Sequence, residues 1–118
     1  MQEMAKNCSL KKNGEFRRVY NKGKSFADKN LVMYCLANKH GCNRLGLSIS
    51  KKVGGAVVRN KVRRRVKECY RLISLKQGHD LIVIARQGSG DASFTELQKS
   101  VVSLLKRHAL LTNRSVED

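Results

Sequence analysis

Two hydrophobic periodicities alternate along this chain, one helical and one strand-like. In "NGEFRRVYNKG", Phe16, Val19 and Tyr20 are three or four residues apart and share one side of a short helix. Asn13 is a candidate cap for that helix and Gly23 a stop. "KSFA" and "NLVMYCLA" follow as strands, the second apolar on both faces and therefore expected at the centre of a sheet. "NRLGLSIS" alternates: Leu45, Leu47 and Ile49 point one way, Arg44, Gly46, Ser48 and Ser50 the other. The intervening "KHGCN" reads as a hairpin turn. After "SKKVGG" a long helix runs from about Ala56 to Ile73, and "HDLIVIARQ" reads as a buried strand. "GSGD" is a loop, and Ser93 or Asp91 can cap a last helix, Phe94 to Leu111. Phe94, Leu97, Val101, Leu104, Leu105 and Leu111 form its apolar stripe. The order α-β-β-β-α-β-α predicts an α+β fold, a two-layer sandwich with helices on a small mixed sheet.

The long helix sorts its residues by face. With Val58 at zero and about 100° per residue, Val58, Val62, Val66, Cys69 and Ile73 fall on one stripe. Arg59, Asn60, Arg63, Arg64, Lys67 and Arg71 gather opposite. Arg65 lands near the apolar stripe and is expected to snorkel along the core edge. From Lys51 to Arg71 there are nine basic residues and one acid, Glu68. Most charge runs are simply solvated faces. Those faces normally mix signs, because Glu–Lys pairs four apart stabilise a helix and like charges weaken it. A one-signed face points to an external polyanion, and arginine suits that role because its fork grips phosphate in two places.

Composition supports the same direction. The 118-residue chain has 25 Lys+Arg against 9 Asp+Glu, a formal charge of +16. Nucleic acid is the first partner such an excess implies, an anionic membrane surface the second. No apolar run is long enough to span a bilayer, and the start lacks the apolar stretch of a signal peptide, so a cytoplasmic protein without membrane partner is expected. No proline, repeat or linker marks a boundary: residues 1–118 read as one RNA-binding domain, ordered over about 10–111 with flexible termini. Cys8, Cys35, Cys42 and Cys69 show no CxxC spacing, and all four read as free thiols, with no metal site.

"SKKVGGAV" places Lys51, Lys52 and two glycines before the helix, whose first amides are open to an anion. A plain strand-to-helix turn is the simpler reading of the glycines alone. The GxxxxGK[ST] phosphate loop is absent. His40, His79 and His108 stand apart in sequence, and the nine acids form no cluster of the kind a metal nuclease uses, so no catalytic residue is assigned.

The stretch "GLSISKKVGGAVVRNKVRRRVKE" closely resembles the signature of the bacterial ribonuclease P protein subunit. "LKKNGEFRRVYNKGKSF" is similar to that family's N-terminal helix and first strand, and "GHDLIVIAR" to its last strand. Arg59 and Asn60 match the start of the family's RNR motif, and Lys61 stands where the second arginine is usual. Arg63 and Arg64 match a Lys-Arg pair, Lys67 a position that is usually Arg, while Arg65 replaces a typically apolar residue. The resemblance implies a protein that binds a catalytic RNA and assists removal of the 5′ leader from precursor tRNA, with chemistry supplied by the RNA and its magnesium ions. No obligate protein partner is implied. It implies RNA contacts at Lys51, Lys52, Arg59, Asn60, Lys61, Arg63, Arg64, Lys67 and Arg71. It further implies a leader cleft at Lys12, Phe16, Arg17, Tyr20 and Tyr34, where unpaired bases stack on rings and cations hold phosphates. Read without the resemblance, Phe16 and Tyr20, four apart on a helix, and Tyr34 on a central strand fit a core better than a platform. The family also implies a left-handed crossover for the strand–helix–strand unit, against the general right-handed rule, and a likeness to the second domain of a small-subunit ribosomal protein. A generic ribosomal-type RNA binder and a free-standing nuclease are the alternatives.

Overall fold

The computed structural model describes residues 9–112. Cys8 and the terminal residues expected to be flexible lie outside them. Among the described residues, three helices and four strands follow the expected order: α1 Asn13–Lys22, β1 Lys24–Ala27, β2 Leu31–Ala37, β3 Arg44–Ile49, α2 Ala56–Arg71, β4 His79–Ala85 and α3 Phe94–Arg107. Short 3-10 turns at Lys51–Val53 and Gln87–Asp91 lead into α2 and α3.

The sheet order is β1-β2-β4-β3. β1 and β2 pair antiparallel, as do β2 and β4, whereas β3 runs parallel to β4. The hairpin expected between β2 and β3 is therefore not formed, because β4 lies between them. The segment 38–43 still reverses the chain, but it crosses two strand spacings, about 10 Å. β4 claims the central place because nearly all of it is buried, which requires ladder partners on both edges.

Alternation along the strands divides the core. Leu31, Met33, Leu81, Val83 and Ala85 face α2 and α3, where Val62, Val66, Cys69, Leu97, Val101, Leu104 and Leu105 meet them. Ile82, Tyr34, Leu36 and Ile84 face the other way, onto Val19, Phe16 and Leu10. The short α1 thus lies across one face, and the two longer helices cover the other.

Helix ends differ from expectation in detail. Lys12, not Asn13, precedes α1, and the Glu15 carboxylate reaches back to accept from the Lys11 and Lys12 amides at 3.2 Å each. Ser93 caps α3 in a reciprocal box with Glu96. α3 ends at Arg107, short of the expected Leu111. The Ala109 amide donates to Lys106 O and the Leu110 amide to Leu105 O, which is a Schellman closure with Ala109 at φ 62°. Leu111 then bridges to Leu75 instead of extending the helix. α2 stops at Arg71 rather than Ile73.

The cysteine expectation holds for Cys35 and Cys69, which are free, and fails for Cys42, which is disulfide-bonded. Pairing is fixed by proximity in space, to which sequence spacing gave no guide. Burial pushes both free thiols up to about 11, so they behave as small apolar groups and not as nucleophiles. Among the described residues no helix is long and apolar enough to cross a membrane.

Candidate nucleic-acid interface

α2 presents the arrangement its sequence demands. Val62, Val66 and Cys69 are fully buried, with Val58 and Ile73 packed at the margin. Asn60, Arg64, Lys67 and Arg71 are exposed, as are Lys51 and Lys52 in the turn before the helix. Lys61, Arg59 and Arg63 are half-buried at the edges of the face. Arg59 folds back so that its Nε donates to Gly54 O at 3.1 Å, which ties the first helical turn to the preceding loop. Ser50 accepts from the Lys52 amide, and no side chain caps α2 at Gly55.

Among the described residues, neutralisation of this strip is slight. Arg71 lies 3.4 Å from Glu68, one turn back and exposed, a pairing of small energetic weight. None of the other strip cations reaches an acid among the described residues. The repulsion within the helix is therefore not relieved by acids among the described residues. Arg65 does not belong to the strip: its Nη1 donates to Ala92 O at 2.8 Å, bracing α2 against the entry to α3. The charge at a position of apolar type is thereby accounted for.

A second feature lies on the opposite face of the sheet. Tyr20 stands edge-on to Tyr34 with ring centroids 5.0 Å apart, and Phe16 is 6.3 Å from Tyr20. Phe16 and Tyr34 are half-buried against the smaller core cluster, while Tyr20 is 37% exposed. The rings are thus partly core and partly open to solvent. Burial raises the Tyr20 phenol above its ordinary pKa, opposed by a hydrogen bond with Ser48. Lys12 and Arg17 are exposed on α1. The structure brings Phe16, Tyr20 and Tyr34 into one aromatic group.

Sequence reasoning passed over three residues beneath this group. Gly46 lies under Phe16: a Cβ there would fall 2.6 Å from the ring's Cζ. Arg44, two residues earlier and on the same strand face, donates through Nε and Nη2 to the two Asp80 carboxylate oxygens at 2.7 Å each. Asp80 is 1% exposed. Burial pushes its carboxyl up, but the Arg44 fork and an Asn38 amide at 2.7 Å outweigh that and hold it below the usual range. The available signal was the strand alternation that put Arg44 and Gly46 on one side; the partners across β4 and α1 were not readable from it.

Comparison with known proteins places the chain in one family. The family model described as Ribonuclease P matches residues 4–109. The ribonuclease P protein component of Clostridioides difficile strain 630 is 52% identical over 101 residues, covering 83% of this chain and 89% of that protein. A mutant Staphylococcus aureus RNase P protein, described as defective in mRNA degradation, superposes with a TM-score of 0.84 at 38% identity, covering 93% of this chain and 95% of that one. The RNase P protein of Thermotoga maritima gives 0.76 at 28%, covering 84% and 96%. A match this long, spanning the charged helix, the aromatic group and the sheet between them, makes the chain a member of the bacterial ribonuclease P protein family.

Proposed function

We propose that this chain is the protein subunit of a ribonuclease P, a ribonucleoprotein that cuts the 5′ leader from precursor tRNA. The observation that carries the reading is the cationic strip of α2: one-signed, sorted onto the face away from the core, and almost free of acid partners among the described residues. In this role Arg64, Lys67, Asn60 and Arg71, with Lys51 and Lys52 of the preceding turn, hold the phosphates of the catalytic RNA; Arg59, Lys61 and Arg63 extend the contact along its edge. Each neutralised phosphate releases condensed counterions, which makes the association steeply salt-dependent.

The cleft beside α1 takes the leader. Tyr20 and Tyr34 offer ring faces and edges to unpaired bases without selecting among them, Phe16 closes the floor, and Lys12 and Arg17 are placed for the backbone charge. The chain's own part is binding and orientation; cleavage belongs to the RNA and its magnesium. Glu15 and Asp80, on the same side of the sheet, are already engaged by Arg44. The same reading makes the chain one RNA-binding domain working in the cytoplasm.

Reconstitution tests it. Protein mixed with ribonuclease P RNA and precursor tRNA at low magnesium is expected to speed cleavage over RNA alone, and equal rates refute the proposal. Replacing Phe16 and Tyr34 by Ala separates this reading from a generic RNA binder. Affinity for leader-bearing tRNA is expected to fall while that for mature tRNA holds; a uniform loss favours the generic binder. Cleavage by protein without RNA would favour a free-standing nuclease.

A further inference from the structure

The first turn of α1 is fixed to the sheet by a polar relay that the leader-binding reading does not use. Glu15 Oε1 accepts the Lys11 and Lys12 amides, and Glu15 Oε2 accepts from Arg44 Nη1 at 2.9 Å. The same guanidinium grips buried Asp80, its register partner on β4, through Nε and Nη2. Asn38 donates to Asp80 as well, and Arg18 lies 3.9 Å from it. A planar fork engaged on three of its nitrogens has little freedom to rotate, so Glu15 meets a fixed point on the sheet. Immediately after Glu15 comes Phe16, and two residues beyond Arg44 comes Gly46, on which the Phe16 ring rests. Adjacent residues of α1 are thus held by alternate residues of one strand face, one pair by charge and one by ring contact.

We propose that Glu15 and Arg44, anchored by Asp80, are positioning residues for the leader: they set the height and angle of α1 so that Phe16 and Tyr20 stand beside Tyr34 as one platform. The proposal rests on the leader-cleft reading above. A rigid seat matters because a stacking surface binds a flexible strand well only if the protein does not pay to assemble it on binding. Glu15→Gln is the informative change. One amide cannot both accept from the Lys11 and Lys12 amides and accept from Arg44 through its second atom, so the link to the sheet weakens while the core remains intact.

The experiment uses protein reconstituted with ribonuclease P RNA. It measures affinity for precursor tRNA and for mature tRNA with the wild type, Glu15→Gln, Phe16→Ala and the double variant. Glu15→Gln is expected to weaken precursor binding about fivefold, the scale of one partly exposed ion pair, with mature tRNA and the RNA subunit bound as before. Added to Phe16→Ala it should cost less than it does alone, since part of its effect runs through that ring. Arg44→Lys, which keeps charge and loses the fork, should give a loss of the same kind. Full precursor preference in Glu15→Gln overturns the proposal. So does a loss that adds fully to that of Phe16→Ala, or one shared equally by the RNA subunit, which marks a merely structural role. If Phe16→Ala itself leaves the preference for precursor intact, the cleft reading fails and the proposal falls with it.

Discussion

At the scale of single residues, the informative positions are those where a side chain contradicts its surroundings. Arg65 is a charge on an apolar stripe, and its bond to Ala92 O explains it. Arg65→Ala should cost about 1 kcal/mol of stability in denaturant unfolding, with affinity for RNA unchanged; a large loss of RNA affinity would place Arg65 in the strip after all. Gly46 is the complementary case, a missing side chain. Its alternation with Arg44 and Ser48 was legible in the sequence, but its purpose was not, because Phe16 comes from an element thirty residues earlier. Gly46→Ala should displace the Phe16 ring and cost about 1–3 kcal/mol, the scale of overpacking, together with precursor-tRNA affinity. Unchanged stability and binding would show that the ring yields freely.

Elements were more legible than their ends. α2 and β4 were readable because their patterns are strong: a one-sided valine stripe in the first, an unbroken apolar run in the second. The end of α3 was not. The apolar spacing runs on to Leu111, whereas the chain turns at Ala109, a residue without the freedom of glycine at positive φ. Leucines 104 and 105 are satisfied before the turn, and Leu110 and Leu111 pack after it, so the tertiary core overrides the helical period. Ala109→Gly removes the left-handed penalty and should raise stability by about 1 kcal/mol; no gain in the unfolding midpoint would contradict the assigned closure. Ser93→Ala, which breaks the reciprocal cap of α3, should cost about 1 kcal/mol.

Across the whole molecule, the order of strands is what the sequence hid. β2 and β3 look like a hairpin because only six residues separate them, yet the more buried β4 takes the place between. That insertion puts Asp80 opposite Arg44 and within reach of α1, and so creates the relay. Its titration has a definite sign. Hydrogen bonds from the Lys12 and Lys11 amides, with Arg44 nearby, hold Glu15 below the ordinary carboxylate range, and Asp80 is likewise held low despite its burial. Groups with depressed native pKa values contribute stability above their unfolded pKa and lose it as pH falls. The stability that Glu15 and Asp80 contribute should therefore be constant near neutrality and decline below about pH 4, with a shallower decline in Glu15→Gln; His108, whose pKa burial lowers, adds a separate loss that begins below about pH 6.5.

The charge of the molecule is broad, whereas the proposed RNA contact lies on one face of one helix. Salt titration of the affinity for ribonuclease P RNA tests that assignment directly. With about six phosphates neutralised, the log–log slope should lie near −4 to −5. Arg64→Ala and Lys67→Ala should each make it shallower by about one, whereas Lys99→Ala and Lys106→Ala, exposed on α3, should leave it unchanged. Equal changes from both helices would contradict the central claim.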